Sequence, residues 1–169
     1  MWEEDEDGVA QLTSANFKEG VSKNEMAFIN FYAPWCVWCQ WLYPTWEKFS
    51  RQATKEKHMP LTIASVDCVD NNQICRENKI FAFPTLRWYA SGEAMSPDYK
   101  MDRTVNSLLD FAKRKFEMNE RFKDWGKRSL ENDKTADQPK KYFSSWHGRS
   151  EYVGLIDAIS YEVFKPKKL

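Results

Sequence analysis

Two cysteines separated by two residues, Cys36 and Cys39, are the residues best suited to carry out chemistry. A thiolate is a nucleophile, and a second cysteine at this spacing can close a disulfide with the first. The apolar run Met26–Tyr32 precedes the pair, and a stretch with apolar residues at helical spacing follows it. A helix starting at Cys36 would place its sulfur beside unpaired amides and the positive end of the helix dipole, which favours thiolate. We therefore predict thiol–disulfide exchange, with Cys36 as nucleophile and Cys39 as resolving thiol.

The alternative for this pair is a permanent disulfide without a chemical role. A loop with only two intervening residues restricts the unfolded chain very little, so such a bond would add little to stability. The exchange reaction is the better interpretation of the spacing.

Hydrophobic periodicity predicts the elements that must position the two cysteines. Strands are predicted over residues 9–12, 26–32, 61–66, 86–89 and 98–100. Helices are predicted soon after residue 13 and over 36–57, 71–78 and 104–118, with a loop at 22–25. Pro44 lies inside the second helix and is expected to kink it. This order predicts an α/β protein with a mixed sheet covered by helices on both faces.

The chain divides into three parts by composition. Residues 1–8 form an acidic tail that we expect to be disordered, and residues 9–118 form one domain. Residues 119–169 are a helical or linker extension to which the sequence assigns no role. Within it, 119–130 could prolong the last helix, 131–141 has the composition of a linker, and 152–164 fits a helix or a strand equally.

From charge and hydropathy we expect neither a nucleic-acid partner nor a membrane-spanning segment in this chain. Lysine plus arginine total 25 and aspartate plus glutamate total 25, so the chain lacks the net positive charge that would favour binding to nucleic acid. No apolar run approaches the ~20 residues that span a bilayer. The acidic start differs from a signal peptide, and we expect the chain to be a fragment or a mature form. Aromatic residues make up 15% of the chain; most should pack in the core, and some could contact exposed apolar segments of other proteins.

Three ordered motifs resemble those of the thioredoxin domains in protein disulfide isomerases. Residues 31–39, Phe-Tyr-Ala-Pro-Trp-Cys-Val-Trp-Cys, resemble the active-site signature of that family. Residues 81–86 resemble its cis-proline segment, and residues 99–104 resemble its Tyr-x-Gly-x-Arg-Thr motif. The resemblance covers roughly residues 9–115. It implies a thioredoxin fold, with a central mixed β-sheet flanked by helices on both faces. The residues beyond this domain are expected to form a C-terminal extension.

The resemblance also implies roles for residues around the cysteines. Pro84 should follow a cis peptide bond, face the disulfide and leave the preceding backbone free to pair with a substrate. Arg103 matches an arginine that acidifies the resolving thiol; its alternative is a solvated residue at a helix start. The implied substrate-binding residues are Trp35, Val37, Trp38, Phe83 and Pro84. For the two tryptophans, the alternative is packing against the fold.

The sequence departs from the family pattern at three places. Val37 and Trp38 stand where the isomerases often have Gly-His, so no histidine charge stabilises the thiolate and the pair should be a weaker oxidant. Gln40 replaces a common lysine. Asn30 replaces a buried carboxylic acid, and its amide cannot exchange a proton with the resolving thiol.

A second pair, Cys68 and Cys75, has several possible states. A similar pair forms a structural disulfide in some disulfide isomerase domains, which implies the same bond here. Free buried thiols, a redox sensor, and a zinc site formed with Cys36 and Cys39 are the alternatives. The spacing is wide for a zinc knuckle, and we predict no metal site.

Together these features predict a thiol–disulfide oxidoreductase that forms, reduces or rearranges disulfides in client proteins, with no cofactor beyond its sulfurs. The expected partners are cysteine-containing unfolded or nascent proteins and a thiol oxidase or glutathione, and the expected location is the endoplasmic reticulum lumen. Two alternatives remain. One is a dedicated reductase, and the other is a client-binding or adaptor domain, without turnover, of a larger secretory-pathway protein.

Overall fold

The computed structural model of the chain describes residues 9–56 and 58–132. The strands are β1 Ala10–Gln11, β2 Met26–Tyr32, β3 Leu61–Asp67, β4 Thr85–Ala90 and β5 Glu93–Ala94. The helices are α1 Phe17–Lys23, α2 Val37–Ala53, α3 Asn72–Glu77 and α4 Val105–Asn132. None of the helices in these ranges is long and apolar enough to cross a membrane.

The sheet is mixed, with strand order β1-β3-β2-β4-β5. β3 runs parallel to β1 and β2, whereas β4 is antiparallel to both β2 and β5. β2 lies at the centre, and Met26 to Phe31 are all buried. A near-continuous apolar strand is what a sheet covered on both faces requires.

Each face of the sheet carries its own helices. Phe28 of β2 contacts the rings of Trp46 and Phe49 on α2, with ring centroids 5.1 and 5.8 Å apart. Leu108 of α4 belongs to the same core. The helical spacing of Leu42, Trp46 and Phe49 predicts that these α2 residues face the sheet, and all three lie in this core. The opposite core joins Ile29 and Phe31 to residues of α1 and α3. The predicted thioredoxin fold is therefore confirmed.

The predicted strand at residues 98–100 is wrong, because the edge strand is β5 at Glu93–Ala94. Pro97 has no N–H to donate to a β-ladder. The Ser96–Pro97 peptide bond is cis, and the sequence did not predict this conformation. The Tyr99 N–H still bonds to the Leu86 carbonyl at 2.8 Å. The Asp98 carboxylate accepts a hydrogen bond from the Arg87 side chain instead of forming a strand ladder. The segment therefore follows β4 through individual contacts.

Two helix boundaries also differ from prediction. α1 continues through Lys23 and includes two residues of the predicted loop at 22–25. α2 passes through Pro44 and ends at Ala53 instead of residue 57. There the Thr54 hydroxyl and N–H both bond to the Ser50 carbonyl, at 3.0 and 2.9 Å. A threonine that binds the preceding turn in this way competes with continuation of the helix.

α4 passes residue 118 without interruption and reaches Asn132. Asn119 is buried, and the Lys123 ammonium forms ion pairs with Glu25 and Glu120. The possible prolongation over 119–130 is therefore helical and tied to the domain. The predicted linker at 131–141 is wrong at its first two residues, because α4 includes them. Its remainder, the predicted acidic tail and the ambiguous segment at 152–164 lie outside the described residues.

Candidate active site around Cys36 and Cys39

Cys36 is the N-cap residue of α2, directly after the turn that leaves β2. Its N–H bonds to the Ala33 carbonyl at 3.1 Å, which closes that turn. Its sulfur accepts a hydrogen bond from the Cys39 N–H at 3.3 Å. The sulfur thus occupies the position where a side chain satisfies an unpaired amide of the first helical turn.

Both thiols are free and largely buried, with Cys36 8% exposed and Cys39 5% exposed. Tyr32 and Phe83 pack against the pair. Cys36 is therefore mostly buried although it lies at a helix start, because Tyr32 and Phe83 pack against it.

Burial raises the pKa of the Cys39 thiol to about 12, with a further upward contribution from its hydrogen bond with Cys36. A backbone hydrogen bond at Ala33 and the positive charge of Arg103 act in the opposite direction. Desolvation disfavours a thiolate inside the protein, so Cys39 holds its proton strongly in the reduced form. Any step that needs the Cys39 thiolate must supply a route for that proton.

The Phe83–Pro84 peptide bond is cis. The Cys36 thiol donates a hydrogen bond to the Phe83 carbonyl oxygen at 3.6 Å. The fold therefore brings the proline segment, distant in sequence, against the first cysteine.

The aromatic residues around Cys36 form two separate pairs. The rings of Trp35 and Phe83 are 6.0 Å apart and nearly perpendicular. Trp38 meets Trp41 in the same way at 4.9 Å. Val37, between the two tryptophans of the motif, is exposed. Sequence reasoning missed Trp41, although its spacing of three from Trp38 on a helix was the available signal.

Arg103 is exposed and lies at the rim of a groove of about 770 Å³. Trp38 and Pro84 also line this groove, so the structure brings three of the predicted site residues, including Arg103, to one depression. The groove wall is held by Arg87, whose Nε and Nη2 bond to the two Asp98 carboxylate oxygens at 2.6 and 3.0 Å. This pair joins β4 to the segment after β5, and no local pattern in the sequence predicted it.

Asn30 is buried in β2, and its Oδ1 has no hydrogen-bond partner among the described residues. Strand alternation places Asn30 on the same face as Phe28, which is the face covered by α2 and α4. The side chain therefore lies on the side of the sheet that carries the cysteine helix. It supplies no carboxylate to that region.

Cys68 and Cys75 form a disulfide that joins the residue after β3 to α3. Both are buried. Their sulfurs are consumed by this bond and are not available for a zinc site with Cys36 and Cys39. No cluster of acidic, histidine or cysteine residues suited to a metal ion occurs in the described part of the chain.

Comparisons with known proteins agree with this geometry. The Thioredoxin family matches residues 8–114. "Probable protein disulfide-isomerase A6" of Medicago sativa is 34% identical over 105 residues, covering 62% of this chain and 28% of that protein. "Endoplasmic reticulum resident protein 44" of Mus musculus is 33% identical over 106 residues, covering 61% of this chain and 26% of that protein.

Among solved structures, the zinc-bound form of human ERp44 superimposes with a TM-score of 0.61 at 30% identity, covering 63% of this chain and 31% of that one. The chain spans about a quarter of the length of these curated relatives. The family match covers more than half of the chain and includes both the cysteine pair and the cis-proline. The chain therefore belongs to the thioredoxin family and carries a thioredoxin domain like those of protein disulfide isomerases.

Proposed function

We propose that the chain is a thiol–disulfide oxidoreductase acting on cysteine-containing client proteins through Cys36 and Cys39. The observation that carries the proposal is the position of Cys36 as the cap of α2, where its sulfur accepts the Cys39 N–H. This position places the sulfur at the N-terminus of α2, beside the amides of the first turn and one turn before the second cysteine. Cys39, one turn later, has its sulfur positioned to form a disulfide with Cys36.

Reduction of a client proceeds in two exchanges. The Cys36 thiolate attacks one sulfur of the client disulfide, that S–S bond breaks, and the released client thiolate takes a proton. Cys39 then loses its proton and attacks the Cys36 sulfur, which forms the Cys36–Cys39 disulfide and releases the second client thiol. Two electrons and two protons pass to the client. Client oxidation is the same sequence reversed.

The aromatic surroundings suit a polypeptide substrate. Exposed Trp35 and Trp38 lie on either side of the first cysteine, and Val37 between them is also exposed. We propose unfolded or nascent proteins as clients, and a thiol oxidase or glutathione as the partner that resets the pair. The proposed location is the endoplasmic reticulum lumen, which the name of the mouse relative supports.

A second function, client retention without turnover, is favoured by two observations. The raised pKa of Cys39 and the absence of an acid at position 30 both slow the step that releases a client from Cys36. A domain in which that step is slow would hold clients as mixed disulfides, as an adaptor does.

Turnover of insulin disulfides by the full chain, with dithiothreitol as reductant, separates these functions. We expect the wild type to accelerate insulin reduction over many cycles, Cys36→Ser to be inactive, and Cys39→Ser to accumulate a mixed disulfide with the client. Cys68→Ala/Cys75→Ala is the control for the loss of cysteines outside the site, because it removes the second disulfide without leaving a free thiol that could trap the client. Trapping by the wild type without turnover would favour the adaptor, and equal trapping by both site variants would refute the assigned roles.

A further inference from the structure

We propose that the groove bordered by Trp38, Trp41 and Met101 binds a large apolar side chain of the client, from a segment that also carries a carboxylate near its cysteine. This inference rests on the proposed function, because it names the kind of client that the Cys36 site would select. We call this depression the tryptophan groove.

Three large apolar side chains of the tryptophan groove are exposed to solvent. Trp38 is 61% exposed, Trp41 66% and Met101 45%. Two of them come from the first turns of α2 and the third from the loop before α4, so the fold gathers them from distant segments. A cluster of this kind, left uncovered around a concave surface, is typical of a binding site.

The groove is formed before any ligand arrives. Leu42 and Leu86, both buried, line it, and Tyr99 holds its far wall. The Tyr99 N–H bonds to the Leu86 carbonyl at 2.8 Å, and its hydroxyl bonds to the Asp102 carbonyl at 2.5 Å. A groove of about 770 Å³ held in this way accommodates an aromatic or branched side chain without a rearrangement that would oppose binding.

The charged side chains that line the groove indicate why the client segment should carry a carboxylate. The Asp98 carboxylate is paired with Arg87, which does not line the groove, so the negative charge of Asp98 is neutralised. The remaining charged side chains of the lining are Lys100, Arg103 and Asp102, with a net charge of one positive. A client carboxylate beside the apolar side chain complements this rim, whereas a client lysine would be repelled.

The groove lies close enough to the reacting sulfur for one client segment to reach both. Pro84 lines it, and the adjacent Phe83 carbonyl accepts the Cys36 thiol hydrogen bond. Trp38 belongs to the same helical turn as Cys36 and Cys39. A client cysteine bonded to Cys36 therefore brings its sequence neighbours within reach of the groove.

Reduction of three disulfide-linked peptides by the full chain tests the proposal. In the first peptide, phenylalanine and glutamate lie a few residues from the cysteine; in the second, alanine replaces phenylalanine; in the third, lysine replaces glutamate. We expect kcat/KM for the first peptide to exceed that for the second by about tenfold, a usual effect of filling an apolar pocket. We expect kcat/KM for the first peptide to exceed that for the third by a smaller factor. This factor should decline at high salt, because salt screens charge interactions.

Variants assign these preferences to the groove. Trp41→Ala and Met101→Ala should each reduce the phenylalanine-to-alanine ratio, and Lys100→Glu should reverse the glutamate-to-lysine ratio. Trp125→Ala is the matched control, because this exposed tryptophan lies on α4 and does not line the groove. Circular dichroism verifies folding, and the two apolar variants come from different elements, so one unfolded variant leaves the other informative.

Other outcomes would contradict the groove proposal, the proposed function or both. If the wild type reduces glutathione disulfide but treats the three peptides alike, the groove proposal fails and the oxidoreductase stands. If neither glutathione disulfide nor any of the three peptides is reduced, the proposed function fails, and titration with the first peptide carrying serine for cysteine decides the groove. A self-association in sedimentation that Trp41→Ala abolishes, without peptide preference, would instead make the groove an interface between copies of the chain.

Discussion

The Cys36 thiol donates a hydrogen bond to the carbonyl oxygen of Phe83, across 3.6 Å between two segments that are remote in sequence. Phe83 also packs its ring against Trp35. One residue therefore contacts both the reacting sulfur and the aromatic surface beside it. A client bonded to Cys36 must displace this contact, which makes the backbone at Phe83 available where the client chain would lie.

Release of a client from Cys36 should depend strongly on pH. Burial is the main cause that raises the Cys39 pKa in the reduced pair, and it remains when a client is bonded to Cys36, although the contribution of the Cys36 thiol is lost. We therefore expect the Cys39 pKa to stay above its ordinary value in the adduct, so that below this pKa the thiolate fraction, and with it the release rate, rises about tenfold for each pH unit. Stopped-flow measurement of release from a preformed Cys36 adduct, from about pH 6 to about pH 9, should show no plateau. Because the Arg103 charge lowers the Cys39 pKa, Arg103→Gln should slow release throughout, and Arg121→Gln is the control on the exposed surface of α4. A plateau near neutral pH would contradict the expected protonation of Cys39.

Loss of the Cys68–Cys75 disulfide should destabilise the domain without removing the redox pair. The bond closes a short loop, for which chain entropy gives a loss of about 2–3 kcal/mol in the free energy of unfolding. Urea denaturation of Cys68→Ala/Cys75→Ala against the oxidised wild type measures this loss. Peptide mapping after alkylation supplies the control, and free thiols at both positions in oxidised wild-type protein would refute the bond.

Trp38→His should make the Cys36–Cys39 pair more oxidising. A protonated imidazole next to the cap of α2 stabilises the Cys36 thiolate, which favours the reduced form of the pair. A change of about 30 mV corresponds to about 1.4 kcal/mol, so equilibration with glutathione detects even a modest effect. Trp41→His is the matched control one turn further along the helix and should shift the potential less. Equal shifts in both variants would show that the effect is not local to position 38.

Asn30→Glu should accelerate client release and lower stability. A buried carboxylate with a raised pKa can accept the Cys39 proton, which the amide cannot do. The same burial without a partner destabilises the fold, by an amount on the order of a few kcal/mol. Asn30→Gln is the control, since it adds the length of glutamate without its acidity. Release that is no faster in Asn30→Glu than in Asn30→Gln would show that the missing acid does not limit the reaction.

The sequence by itself determined the parts of this protein that depend on local pattern. The apolar run of β2 and the helical spacing of Leu42, Trp46 and Phe49 specify buried elements, because only one periodicity puts those side chains in the core. The Cys-x-x-Cys spacing between them placed the sulfur pair at the start of a helix. Strand, cysteines and helix are adjacent in the chain, so their relationship needs no long-range information.

Only the tertiary structure decided how the surroundings of the cysteines are arranged. The Arg87–Asp98 pair replaces the strand expected at residues 98–100 and fixes the wall that carries Met101 and Arg103. Exposure of Trp41 beside Trp38, and burial of Cys36 under Phe83, depend on which distant segments cover α2. Contacts between remote residues follow from packing of the complete sheet and its helices, and no periodicity within one segment encodes them.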